Sequence, residues 1–416
     1  MDKITFCIPS KNNCRYLKAC IPSIRKNSFR KDHDIIVFVD ADNDGTVDWL
    51  KSVKEKYNLK YIINDTGELY GIGKAYDKCI KESTTEVFMI FHADMMLGKD
   101  ADKIAYKQLT HGQYIDPMKR VVCATRIEPP LHPENGEKII KDFGMWPETD
   151  VEEGWREDDF NNFVEKCKEK YEGKITNGLF APWMMFKESF VNIGGHDPRF
   201  ASAREDSDVF NRLYLSGFEL IQSWESFVYH LTARGGQFQH GKLTQNHQQK
   251  SEEWQKLMYN STREFFRKWG TSVQHDNLLK PIITPKYNIG FVVDNLDSYE
   301  LLYHLEPWCT NIYGNFPQYM REHFIEAEKK DTMFDLNERV RRFYEEKNND
   351  ILIKFDAKNF TQQHMNYITN FSNILSNDED LEVGEFELDI FNITIINLQN
   401  YEKDLIVNEN TLFNTY

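Results

Sequence analysis

Within its first hundred residues the chain alternates short, almost wholly apolar runs with stretches of helical periodicity. That alternation restricts it to parallel strands joined by crossover helices. The runs ITFCIP (4–9), DIIVFVD (34–40), LKYIIND (59–65) and EVFMIFHAD (86–94) read as strands. Runs apolar on both faces belong in a covered sheet. Between the first two, YLKACIPSIRKN spaces its apolar residues as a helix that Pro22 is expected to bend or restart. The strand ends carry Pro9-Ser10-Lys11-Asn12, Asp40-Ala41-Asp42, Asn64-Asp65 and His92-Ala93-Asp94. Ligands of open α/β sheets bind beyond the carboxyl ends of the strands, so these clusters are expected to face one crevice.

Downstream, residues 126–175 read as a proline-containing loop followed by an amphipathic helix in GWREDDFNNFVEKCKEKYEG. An apolar-aromatic block (GLFAPWMMF) follows, then a Gly194-Gly195 turn, a helix from about Asp206 to Ser216 and a strand ending at His230. Residues 241–270 look helical. Pro281 and Pro285 precede a new strand signal, YNIGFVVDN, and place a domain boundary near 280. With 416 residues two domains are expected, because single cores stop growing near about 250–300 residues. They are a mostly parallel, Rossmann-like α/β sheet flanked by helices over 1–275 and a smaller α/β or α+β module over 281–416. The second mixes a charged helix, EAEKKDTMFDLNERVRRFYEEK, with strand-like DILIKFD and EFELDIFNITIINL.

Composition removes several functions. The net charge of -15 argues against general nucleic-acid binding, which needs a clustered basic surface. The seven cysteines form no C-x-x-C pair, so no zinc site or disulfide framework is suggested. MDKITFCIPSKNN lacks a basic segment with a long apolar core, and no apolar run is long enough to span a bilayer. The expectation is a soluble, cytoplasmic protein.

Three acidic groups and one histidine can carry chemistry. Asp40, Asp42 and Asp44 follow a buried strand, where carboxylates accept hydrogen bonds from a base or ribose. The alternative is a solvated turn. A calcium loop fails, because Lys51 stands where the twelfth-position Glu belongs. Asp94, after VFMIF, can hold a divalent cation that bridges a diphosphate, or can simply cap the next turn. Glu205 and Asp206 open a helix, as dipole complements or as a general base. His230 can complete a cation site or pack as a strand-end residue. Lys11, Lys74, Arg126 and Arg234 are candidates to neutralise a diphosphate. Gly71, in LYGIGKAYDKC, turns the chain into a helix whose N-terminus can face phosphate or sugar. Trp183 either lines the crevice or sits in the core.

Taken in order, these segments resemble the family 2 nucleotide-sugar glycosyltransferases of the GT-A fold. FCIPSKNNCRYLKACIPSI is similar to that family's opening strand and helix, VFVDADNDGT to its second-strand acidic turn, IIND to its third, and FMIFHADMML to the strand with the D-x-D metal motif. TNGLFAPWMMFKESFVNIGGHDPRF with AREDSDVFNRLYLSGFEL is similar to its acceptor-side segment. The resemblance spans about residues 3–270. It implies a nucleotide-sugar half over about 1–115, an acceptor half over about 116–275, and inverting transfer from a UDP-type donor to a hydroxyl on a glycan or other biomolecule. Asp40 and Asp42 would hold base or ribose, and Asp94 and His230 a manganese or magnesium ion. Asp206 would be the base, with Glu205 as alternate. Pro9, Ser10, Asn64, Gly71, Lys74, His92 and Trp183 would line the donor site. His92 departs from the family pattern, which has Asp there, and favours manganese over magnesium.

Other classes remain open. A nucleotidyltransferase could use such a sheet, although PSKNNC lacks the glycines of a phosphate loop. A non-catalytic sugar-binding module would have lost metal ligand or base, and both are present. A transferase acting on modified DNA bases would need a basic groove, whereas RVRRFYEEK is flanked by acidic residues.

Overall fold

Strands Thr5–Ser10 (β1), Asp34–Asp40 (β2), Lys60–Asn64 (β3) and Val87–Ile90 (β4) are joined through helices Cys14–Asn27 (α1), Thr46–Val53 (α2) and Ile72–Glu82 (α3), as the alternating pattern requires. The computed structural model describes residues 1–64, 66, 68–111, 116–133, 135–145, 154–232, 252–378 and 381–408. Asp65, Arg234 and residues 241–251 lie outside these. The sheet continues with Met95–Leu97 (β5), Arg120–Glu128 (β6), Ile139–Ile140 (β7), Ile175–Thr176 (β8), Trp183–Phe186 (β9) and Glu219–His230 (β10). Its order is β3-β2-β1-β4-β9-β6-β10-β5.

Strand direction positions the site. β1 is parallel to β2 and β4, and β2 to β3. β9 is antiparallel to both β4 and β6, so β6 regains the direction of β4, and β10 follows it. The carboxyl ends of β1, β2, β3, β4, β6 and β10 therefore share one edge. Strands β1, β2, β4 and β6 are buried almost throughout. Each large aliphatic or aromatic side chain so covered contributes about 1.5–3 kcal/mol.

The structure departs from expectation in places. Pro22 stands inside one helix, α1. The carbonyl it leaves without a donor belongs to exposed Lys18, where water can satisfy it. β6 was not anticipated. EAEKKDTMFDLNERVRRFYEEK is not one helix, because the helix Gln318–Glu328 ends and Leu336–Arg339 leads into the strand Val340–Arg342.

The chain divides into two units: Met1–Lys256 with His275–Ile282 and Val407–Tyr416, and Leu257–Gln274 with Ile283–Ile406. Residues 257–274, placed above in the first domain, thus group with the second. The second unit holds a smaller sheet of Ile289–Asp294 (β11), Asn311–Gly314 (β12), Val340–Arg342 (β13), Ile351–Asp356 (β14), Gly384–Leu388 (β15) and Phe391–Ile395 (β16), ordered β13-β12-β11-β14-β16-β15. Its core includes a charged knot, in which Glu306 takes Arg267 at 2.7 Å and Arg339 on its other oxygen. Among the described residues no helix is long and apolar enough to cross a membrane.

Candidate active site

Four clusters meet the shared edge of the first sheet. At the ends of β2 and β3, Asp40 accepts hydrogen bonds from Asn64 Nδ2 at 2.7 Å and from the backbone N–H groups of Tyr70 and Gly71 at 2.9 and 3.2 Å. So engaged, Asp40 ties the end of β3 to the Tyr70-Gly71 backbone that leads into α3. Tyr70 stacks on Phe38, ring centroids 4.9 Å apart. Asp42 accepts from the Asn12 N–H at 2.7 Å and from Ser10 Oγ at 3.1 Å, which joins the ends of β1 and β2. Burial pushes its carboxyl up to about 6. Pro9 stands in β1 beside Ser10.

The second cluster arises from a turn. After β4 the chain reverses through His92-Ala93-Asp94, with the Met95 N–H donating to the His92 carbonyl at 3.2 Å. β5 then pairs antiparallel with β10, setting His230 opposite Met95. His92, Asp94 and His230 thereby offer ligand atoms all within 4.8 Å of one another. His230 Nε2 lies 3.8 Å from Asp94 Oδ1, and its Nδ1 lies 2.8 Å from Glu128 Oε1. Glu128 ends β6 and is 1% exposed. Burial works against its charge, but the His230 hydrogen bond and the charges of His230, Arg126 and Lys138 together hold its carboxyl well below the usual range. Burial, then the charges of His230 and Arg126, push His92 down to about 3, leaving it neutral.

The donor set fits a divalent cation. One carboxylate and two imidazoles converge, one imidazole is held neutral, and the other is oriented by a carboxylate behind it, the usual support of a metal-binding histidine. Mixed nitrogen and oxygen ligands suit manganese better than magnesium.

The third cluster is the start of α3. Gly71 has φ +93°, and a Cβ there would lie 2.7 Å from the Ala201 carbonyl, which accepts from the Ile72 N–H at 3.0 Å. Lys74 is in the first turn, in no ion pair among the described residues. Asp77, further along α3, accepts from the His196 N–H at 3.0 Å and approaches His196 Nδ1 at 2.6 Å. This pins the Gly194-Gly195-His196 turn, which Arg212 also holds by donating to the Ile193 and Gly195 carbonyls at 2.6 Å.

That turn leads to the fourth cluster, where helix Glu205–Leu215 begins. Asp206 Oδ1 accepts from the Ser207 N–H at 2.6 Å. Burial, then the charge of Asp206, push the Glu205 carboxyl up to about 8. Glu205 Oε2 and the Tyr76 hydroxyl are both buried without a hydrogen-bond partner among the described residues. Tyr76 stacks on His196 at 5.7 Å, and the charges of Glu205 and Asp94, after burial, raise its phenol well above the ordinary value.

Two expected residues stand elsewhere. Trp183 is 2% exposed and packs against Phe88, Phe190 and Phe210, because β9 lies at the middle of the sheet, so it is a core residue and not a crevice wall. Arg126 spends its charge on Glu128 and Glu137 and lies over the Phe180 ring instead of serving a diphosphate. Glu128, Tyr76, Asp77 and His196 were not singled out from the sequence. The strand pattern around 120–128 was the one signal that could have exposed Glu128.

Residues 5–163 match the family described as glycosyl transferase family 2. No curated protein matches the chain. Among solved structures, S. aureus TarS 1–349 in complex with UDP is similar at TM-score 0.39 and 16% identity, over 64% of this chain and 72% of that one. GalNAc-T7 with UDP, GalNAc and Mn2+ is similar at TM-score 0.43 and 13% identity, over 64% of this chain and 48% of that one. At these TM-scores the family match, not the structures, is the basis for assignment. Residues 5–163 are accordingly a glycosyl transferase family 2 domain, and the chain that carries them is a glycosyltransferase.

Proposed function

We propose that the protein transfers a sugar, with inversion, from a UDP-type nucleotide diphosphate to a hydroxyl acceptor in a divalent-metal-dependent reaction. The observation that carries this reading is the convergence of His92, Asp94 and His230 beyond the ends of β4 and β10. Asp94 and His230, with His92, would hold the cation, which when bound supplies positive charge for the departing diphosphate.

The remaining roles follow from this chain's groups. Asp42, Ser10 and Asn64 stand where a nucleoside would meet the ends of β1, β2 and β3. Lys74 brings positive charge to the start of α3, toward the diphosphate. Asp206 takes the proton of the acceptor hydroxyl as its oxygen attacks the anomeric carbon, and the bond from that carbon to the diphosphate oxygen breaks on the opposite face. Glu205, kept protonated at neutral pH by burial, donates a hydrogen bond to the sugar or acceptor, as does the Tyr76 hydroxyl. Two buried polar atoms without partners among the described residues are costly, and a hydroxyl-rich ligand would satisfy them. Absence of the phosphate-loop glycines disfavours nucleotidyl transfer.

The test is calorimetric binding of a panel of nucleotide diphosphates and nucleotide sugars, with manganese and with chelator. Metal-dependent binding of a nucleotide sugar, lost in Asp94→Ala, is expected. Binding of a nucleoside triphosphate alone, or equal donor affinity in wild type and Asp94→Ala, would overturn the reading.

A further inference from the structure

The second sheet contains a topological reversal of its own. From β11 the chain passes through the helix Tyr299–Leu305 to β12 and through Gln318–Glu328 to β13, each strand added on the same side. It then returns to β14 on the other side of β11. These four strands are parallel, so their carboxyl ends share an edge, and the segments leaving β11 and β14 part company there. Asn295 Nδ2 ties the two strand ends by donating to Asp356 Oδ2 at 2.9 Å. A divergence of this kind is where open α/β sheets bind ligands.

An open cavity of about 390 Å³ lies there, lined by Ser298, Glu300 and His304 after β11 and by Phe360, Gln362 and Met365 after β14. Its size falls in the roughly 300–1,000 Å³ range of small-molecule sites. Its chemistry narrows the ligand. No lysine or arginine stands among the described lining residues, and Glu300 repels anions. The turn Asn295-Leu296-Asp297-Ser298 has no glycine, so its backbone makes no cradle for a diphosphate. What remains is a carboxylate, an imidazole, an amide and a hydroxyl beside an aromatic ring and a thioether. Such a set serves a ligand with many uncharged hydroxyls on its edges and C–H groups on its face.

We propose that this cavity is a second site, separate from the donor site, which takes an uncharged saccharide residue of a glycan. Glu300, His304 and Gln362 bind its hydroxyls, and Phe360 packs on its face. The proposal does not depend on metal or nucleotide binding in the first unit.

The experiment uses the full chain, in chelator and without nucleotide, against a panel of neutral oligosaccharides. Binding is read by calorimetry and by the methyl resonance of Met365, which lines the cavity. Glu300 and Gln362 are exposed, so Glu300→Ala and Gln362→Ala are expected to fold, as equal melting temperatures would verify. A neutral saccharide should shift the Met365 resonance. Each substitution should weaken its binding about fivefold to tenfold. Asp94→Ala should leave saccharide binding unchanged, and both cavity variants should leave UDP binding unchanged. The proposal is overturned if no neutral saccharide binds, if binding survives both substitutions, or if pyrophosphate shifts Met365 instead. Failure of UDP to bind the wild type would sink the donor assignment alone.

Discussion

If the cation binds as proposed, Glu128 positions one of its ligands, an effect measurable without turnover. Its hydrogen bond to His230 Nδ1 leaves Nε2 facing Asp94. Glu128→Gln keeps the shape but removes the charge, and supporting carboxylates of this kind are worth about 10-fold to 100-fold in metal affinity. Manganese titration should show that loss, and unchanged affinity would remove Glu128 from the site. Glu205 makes a prediction in pH. Its folded carboxyl is raised from 4.5 to about 8, so the folded chain keeps a proton that the unfolded chain releases, and stability falls as pH rises through that window. Glu205→Gln abolishes this penalty. Its advantage in melting temperature should grow from nothing below pH 4.5 to a maximum near pH 8, whereas a constant offset would contradict the assignment. Asp206→Asn should retain donor affinity and lose at least about 100-fold in transfer, the lower end for a general base. Unchanged transfer would move the base elsewhere. The positions of Asp94 and His230 at the sheet edge are legible because Asp94 follows one apolar strand and His230 ends another. That of Glu128 is not, since two arginines in RVVCATRIE obscure the strand that delivers it, and Trp183, readable as wall or core, packs in the core.

Among the elements, the glycine before α3 controls how the helix enters the site. Gly71→Ala must accept φ +93° and a Cβ 2.7 Å from the Ala201 carbonyl. The expected cost is about 1–3 kcal/mol, seen as an earlier midpoint in urea unfolding. A midpoint equal to wild type would mean that the 201 turn yields freely. The parallel strands were readable because burial on both faces leaves continuous apolar runs, and β2 falls on 34–40 as expected. Failures came where tertiary contacts override local pattern. VRR at 340–342 looks like helix surface but pairs with β12, while Arg339 before it is drawn inward by Glu306. β5, only Met95–Leu97, is too short to announce itself, yet its pairing with β10 brings His92, Asp94 and His230 together.

For the whole molecule, Pro281 and Pro285 point to a boundary near 280, but nothing in the sequence signals that the chain returns to its first unit. Val407–Tyr416 group with the first unit. Asn408, 3% exposed, donates from Nδ2 to the His196 carbonyl at 3.1 Å and from its N–H to the Ile193 carbonyl at 3.3 Å. Gly194 is held so close that a Cβ would lie 2.5 Å from the Asn408 carbonyl. Asn408→Ala leaves the buried His196 carbonyl short of a donor, at a cost of about 1–3 kcal/mol in thermal unfolding. An unchanged melting curve would show that the contact is dispensable. These bonds meet the same turn that Asp77 and Arg212 secure from within, just before Glu205 and Asp206. A chain stopped after Ile282 therefore loses two hydrogen bonds that reach this turn from some two hundred residues away in sequence, and it is expected to melt earlier than the full chain.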